Sequence, residues 1–175
     1  GTLPAANGGT GLTSFTAGTD YVAPGTATTF TAKQTLAGST SSLSAVVKNM
    51  AEVTTVSATA ATGTIDFDTS TQSVLYYTTN AAGNFTVNFR CSSGTSLDTA
   101  MSTGETLTCA FMVTNGGTAY YNSSITVDGV SVTPKYQFGT AWSSGNTNSI
   151  DIYSFTIVKT GSAAFTVFTS QSKFA

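Results

Sequence analysis

From Asn84 to Cys91 every second residue is large and apolar: Phe85, Val87, Phe89 and Cys91 fall on one side, and Asn84, Thr86, Asn88 and Arg90 on the other. A period of two belongs to an extended strand with one buried face. The pattern returns between Glu105 and Val113, with Leu107, Cys109, Phe111 and Val113 facing in. It recurs in shorter form at Thr64 to Asp68, where Ile65 and Phe67 oppose Asp66 and Asp68. Gln72 to Thr78 is apolar on both sides. Asp128-Gly129 between two apolar runs is a strong hairpin signal, and it sets Val127 opposite Val130 and Ile125 opposite Val132.

The last long segment, Ile150 to Ser170, reads as a further hairpin turning at Lys159-Thr160-Gly161-Ser162. With Thr160 and Gly161 as the turn, Thr156 lies opposite Phe165 and Tyr153 opposite Phe168. One face then carries Ile150, Ile152, Val158, Phe165 and Val167, and the other Tyr153, Phe155, Ile157 and Phe168. An antiparallel sheet that faces water on one side alternates cleanly. A hairpin apolar on both faces is therefore expected to need the chain's own core on one side and a neighbouring subunit on the other, with Tyr153, Phe155, Ile157 and Phe168 at the subunit interface.

Strands of this length with no helices between them indicate an all-β domain, read as an antiparallel β-sandwich of jelly-roll-like topology. One helical pattern stands out: Leu43, Val46, Val47 and Met50 fall at i, i+3, i+4 and i+7 behind a capping Ser42, which predicts a short helix over 42–50.

Only 8% of the residues are charged, against about 25% in an average soluble protein, so the surface is neutral and rich in hydroxyls. The six Lys and Arg are scattered singly. That leaves no cationic footprint for nucleic acid, and no apolar run is long enough to insert in a membrane as a helix. Two cysteines, Cys91 and Cys109, are too few for a disulfide scaffold; both sit at inward strand positions and are expected to be free, with a bridge as the alternative. The chain has no His, so the usual general base and the commonest metal ligand are both missing.

Residues 1–40 are punctuated by Gly, Pro, Ser, Thr and Ala, with large apolar residues (Leu3, Leu12, Phe15, Tyr21, Val22, Phe30, Leu36) too sparse for a core within one chain. This composition reads as an extended linker, or as a stalk in which several chains pool their apolar residues. Residues 41–175 form the head domain. The chain begins Gly-Thr-Leu-Pro without an initiating Met or the basic and apolar regions of a signal peptide, and is expected to be the C-terminal piece of something longer.

Leu3-Pro4-Ala5-Ala6-Asn7-Gly8-Gly9-Thr10-Gly11, followed by Leu12, Phe15, Gly18 and Asp20-Tyr21-Val22, resembles the L-P-x-x-N-G-G-T-G element that precedes the terminal domains of tailed-bacteriophage fibre proteins. Further on, 30–35, 72–77 and 170–175 resemble C-terminal domains of virion fibre proteins from phages of marine and cyanobacterial hosts. The resemblance implies a homotrimeric component of the virion, assembled in the host cytoplasm. It would join other virion proteins through its N-terminal segment and present loops to a host-surface glycan or protein. A head or neck fibre without a receptor role is the alternative, and a glycan depolymerase a more distant one.

For a depolymerase, Asp66 and Asp68 stand about 7 Å apart on one strand face, within the carboxylate separation glycosidases use. Nothing in the local sequence would raise the pKa of either, however, so solvated strand carboxylates are the expectation and no catalytic residue is assigned. Asp66-x-Asp68-x-Ser70 lacks the glycine and terminal Glu of a calcium loop, so no metal is expected, nor any cofactor. Candidate receptor contacts are aromatic: Trp142, the only tryptophan, with Tyr136, Asn146 and Asn148 in the turn-rich connection 133–149, and Tyr120 and Tyr121 beside the Asn115-Gly116-Gly117 turn. An aromatic face ringed by amides and hydroxyls suits a sugar. Packing at a sheet or subunit edge is the competing role for Trp142, and Tyr120 and Tyr121 point to opposite faces. Two Asn-X-Ser/Thr triplets, at Asn84 and Asn122, follow from the Ser and Thr content alone.

Overall fold

The computed structural model of the chain describes residues 29–30 and 32–175; the L-P-x-x-N-G-G-T-G element lies outside them. The chain divides into two units between Asn49 and Met50, somewhat beyond the 40/41 boundary expected from composition.

The described part of the first unit has neither helix nor strand, only an isolated bridge between Ser39 and Ser42. The helix expected over 42–50 does not form. Leu43, Val46, Val47 and Met50 are all exposed, so none of the described residues buries the apolar face that motivated it. So short a segment, with β-branched Val at two positions, falls below the length at which helices persist without tertiary packing.

The second unit is built from strands β1 (Thr54–Ala60), β2 (Gly63–Asp68), β3 (Val74–Thr79), β4 (Phe85–Arg90), β5 (Thr106–Asn115), β6 (Asn122–Val127), β7 (Val130–Ser131), β8 (Lys135–Tyr136), β9 (Ser149–Gly161) and β10 (Ala164–Phe174), with one helical turn, α1 (Leu97–Ala100), between β4 and β5. They form two mixed sheets, ordered β1-β3-β5-β9-β10-β8 and β2-β4-β6-β7. The all-β reading holds; the antiparallel one does not. Through β6 the chain places successive strands in alternate sheets, so each strand returns beside the one two before it and in the same direction: β1–β3, β3–β5, β2–β4 and β4–β6 are all parallel. Parallel strands need a crossover connection, usually a helix. Here a strand of the other sheet serves instead. Only the later segments pair antiparallel, β9 with β5 and β10 and β7 with β6.

The inward residues of both sheets make one core. Phe85 of β4 meets Phe111 of β5 and Tyr153 of β9 edge-on at 5.4 and 5.9 Å, and Phe89 meets Phe155 at 4.8 Å. Cys109 is buried in this core and free, as is the less buried Cys91. Burial pushes the Cys109 thiol up to about 12, which leaves it an apolar filler at neutral pH. The Asp128-Gly129 hairpin has the expected register, Val127 opposite Val130, with both turn residues at positive φ (51° and 79°). The Asp128 carboxylate also accepts hydrogen bonds from the N–H groups of Leu97 and Asp98 at the start of α1.

The final hairpin turns later than its sequence suggests. Gly161 pairs with Ala164 across Ser162-Ala163, and Thr156 lies opposite Phe168 rather than Phe165. This is a slip by an odd number of residues, so it exchanges the two faces of β10. Val167 joins Tyr153, Phe155 and Ile157 on the core side, while Phe168 moves to the outer side with Ile152 and Thr156. Tyr153, Phe155 and Ile157 are therefore not an interface with another subunit: at 0%, 1% and 0% exposure they are sheathed by their own chain. Of the four residues assigned to that interface, Phe168 alone is at the surface, 49% exposed.

Tertiary contacts move the turn. Lys159 is buried, and its ammonium donates to the carbonyls of Asp98 and Met101 (2.8 Å for Met101) and pairs with the Asp98 carboxylate at 2.8 Å; that carboxylate also accepts from Ala163 N–H. The hairpin tip is thus clamped to the 91–105 insertion. The Lys159 hydrogen bond, then that of Ala163, holds the Asp98 carboxyl below its ordinary range. Its contribution is present above the unfolded value and is lost as pH falls through the lowered one. Lys159→Met is expected to strip both carbonyls of their donor, cost about 2 kcal/mol in urea unfolding, and raise hydrogen exchange at the amides of 97–101. Unchanged exchange there would show that the clamp is not needed.

Candidate functional site

Loop 116–121 and connection 137–148 are tied together at one end of the sheets. Gly145 N–H donates to Ala119 O at 3.2 Å and Asn148 N–H to Gly116 O at 2.8 Å, while the Trp142 indole N–H reaches Asn122 O. All six candidate receptor residues belong to this region or border it. Trp142 is half-buried, its ring met edge-on by Tyr136 at 4.9 Å and Tyr153 at 5.1 Å. It packs at the end of the core between these two rings. Tyr120 and Tyr121 both pack partly against the core; the Tyr120 carbonyl accepts from the Asn115 amide, and Tyr121 N–H donates to Asn84. Asn148 is exposed, with φ of 51°.

Beneath these loops lies a buried polar cluster. Asp151, 0% exposed, accepts through Oδ2 from the Asn115 amide (3.1 Å), Asn146 N–H (3.0 Å) and the Gln171 amide (3.4 Å), while Oδ1 has no hydrogen-bond partner. Asn146, one of the six, is held there by its backbone N–H and is half-buried. Burial raises the Asp151 carboxyl above its usual value, opposed by the Asn146 N–H, the charge of Lys173 and the two amides. Gly145 is required here: a β-carbon would stand 2.2 Å from Tyr120 O and 2.7 Å from Asp151 Oδ2.

The carboxylates considered for glycan cleavage are bridged by one guanidinium. Arg90 Nη1 meets Asp66 at 2.8 Å and Arg90 Nε meets Asp68 at 2.5 Å, and the Asn88 amide adds a bond to Asp66 at 2.7 Å. β2 and β4 run in parallel register with Asp66 beside Asn88 and Asp68 beside Arg90, so the pairing follows from the sheet itself. Among the described residues no group of three or more acidic or Cys side chains could hold a metal.

Two exposed aromatic rings lie at β8 and β10, of which Phe138 was missed in the sequence. Phe138, in the 3-10 turn Gln137–Gly139, is 95% exposed and held at φ 61°, a left-handed conformation unfavourable for a side chain of its size. Phe168 stands on the outer face beside Lys135 of β8, its parallel partner. The Asn115-Gly116-Gly117 and Trp142 signals drew attention to the loops, whereas Phe168, expected on one face with Tyr153, Phe155 and Ile157, is parted from them by the register slip and alone stays outside. No family model matches this chain, and no curated protein or solved structure is found to be similar to it.

Proposed function

We propose that the chain is a non-enzymatic structural module of a bacteriophage particle, the C-terminal part of a trimeric fibre that meets the host surface. The observation that carries the multi-chain reading is a run of large apolar side chains left open to solvent: Phe30, Leu36, Leu43, Val46, Val47, Met50, Val53 and Val56 are each between 56% and 89% exposed. Apolar exposure on this scale marks an interaction surface, and partner copies are the cover that the fibre-like N-terminal motif suggests. The support comes from this run, not from the final hairpin, whose Tyr153 and Phe155 are already covered by their own chain. The two sheets are read as the halves of a β-sandwich, supported by the ring contacts of Phe85 and Phe89 with Phe111, Tyr153 and Phe155. Sparse charge suits a particle that must hold together across changes of salt. The Arg90 bridge supports a structural role for Asp66 and Asp68 over an acid pair.

Light scattering of the purified chain is expected to give three times the mass of one copy. Val46→Ser with Met50→Ser is expected to shift the population toward single copies. Antibody to the chain is expected to label fibre tips in electron micrographs of particles. A stable, soluble single copy of the unaltered chain would overturn the trimer, and label confined to the head or neck would move the module to a decoration role.

A further inference from the structure

We propose that the outer face of β8, β9 and β10 binds an acidic oligosaccharide, an assignment that rests on the host-surface reading above and gives it a site and a ligand class. The cleft there has a volume of about 580 Å³, within the usual span of small-ligand sites. Its floor is the Phe168 ring, 49% exposed on an otherwise hydroxyl-bearing surface. Across the sheet Phe168 is flanked by Lys135 on one side and Thr156 on the other, and Ser154 pairs with Ser170 in the next row but one. Ser154, Thr156, Thr166 and Ser170 all line the cleft, and among the described residues none of their hydroxyls has a protein hydrogen-bond partner.

This combination selects its ligand. A ring face covers the apolar C–H side of a sugar, and unspent hydroxyls answer the sugar's own in both directions, as donors and acceptors. An apolar peptide would leave those hydroxyls unanswered. The charge is one-sided: Lys135 is exposed and, among the described residues, pairs with no carboxylate, and no residue lining the cleft is acidic. A carboxylate-bearing sugar supplies the missing anion, with attraction that salt weakens. Gln137 lines the same cleft, and its chain neighbour Phe138, almost wholly exposed, is placed to extend the apolar contact along a longer glycan.

The test uses the full chain titrated with three acidic tetrasaccharides, carrying glucuronate, galacturonate or sialate, against neutral chitotetraose, read by amide shifts in NMR. At least one acidic probe is expected to shift Lys135, Thr156, Phe168 and Ser170 and to bind about tenfold more tightly than the neutral one. Phe168→Ala is expected to weaken binding about tenfold with unfolding unchanged, and Lys135→Gln to abolish the preference for acid and its salt dependence. No shift at these residues with any acidic probe at about 10 mM overturns the assignment, as does undiminished binding by Phe168→Ala. A drop in oligomeric mass on Phe168→Ala, without any sugar response, overturns it in favour of a contact between copies. Competition for phage adsorption separates the two levels. A chain that blocks adsorption without binding acidic sugar keeps the fibre reading and loses the cleft; one that binds the sugar but labels no particle does the reverse.

Discussion

Phe111→Ala is expected to lower stability by about 4 kcal/mol, a large share of the roughly 5–15 kcal/mol by which domains are stable. Phe111 is 0% exposed in β5 and sits between the rings of Tyr77, 5.3 Å away in its own sheet, and Phe85, 5.4 Å away in the other. Truncation removes the transfer energy of a whole ring and opens a cavity that backbones held on both sides by ladder bonds cannot close. It also removes two edge-on aromatic pairs. Phe168→Ala, deleting the same side chain from the outer face, is expected to change stability by less than about 1 kcal/mol. Urea unfolding of the two variants side by side checks both. Similar midpoints would mean that the rings of the two sheets are not packed as described.

The second large effect is at the buried carboxylate. Asp151→Ala is expected to cost on the order of 3 kcal/mol at neutral pH, because the Asn115 amide, Asn146 N–H and Gln171 amide lose their common acceptor at a site closed to solvent. Gly145→Ala is expected to be comparably damaging, since its β-carbon would collide with a backbone carbonyl that has no rotamer to escape into. Asp151→Asn keeps one acceptor oxygen and isolates the charge. Burial holds the Asp151 carboxyl above its ordinary value, so the folded state binds the proton more tightly than the unfolded chain. The native protein is then favoured by acid, and it loses stability as pH rises from the unfolded value through the raised folded one. Relative to native, Asp151→Asn should therefore gain over that window and level off above it. A stability difference that stays flat from pH 4 to 8 would show that Lys173 and the amides fully compensate the charge.

Much of the core was legible in the sequence. Phe85, Val87 and Phe89, and likewise Cys109, Phe111 and Val113, are buried as alternation requires, and Asp128-Gly129 turned where its chemistry demanded. β1 was not marked: TTVSATA is an edge strand with a single large apolar residue, and Val56 is exposed. The helix over 42–50 had the right spacing, but among the described residues it found no surface to pack on. Trp142 drew notice because it is unique, yet its indole serves the fold through Asn122 and Tyr153. Phe168 was marked as an interface residue beside Tyr153, whereas Lys135 is unremarkable in sequence and meets it only because β8 pairs with β10.

By itself the sequence determined which side chains go inward, since a period of two is a local property of each strand and needs no knowledge of its neighbours. Which strand lies beside which, and in what direction, came from the tertiary structure: crossing between sheets made parallel neighbours of strands that a meander would have left antiparallel. The register of the last hairpin was likewise decided at a distance. There the clamp of Lys159 and Ala163 on Asp98 overrode the glycine that marked the turn, and one odd slip chose which aromatic faces water.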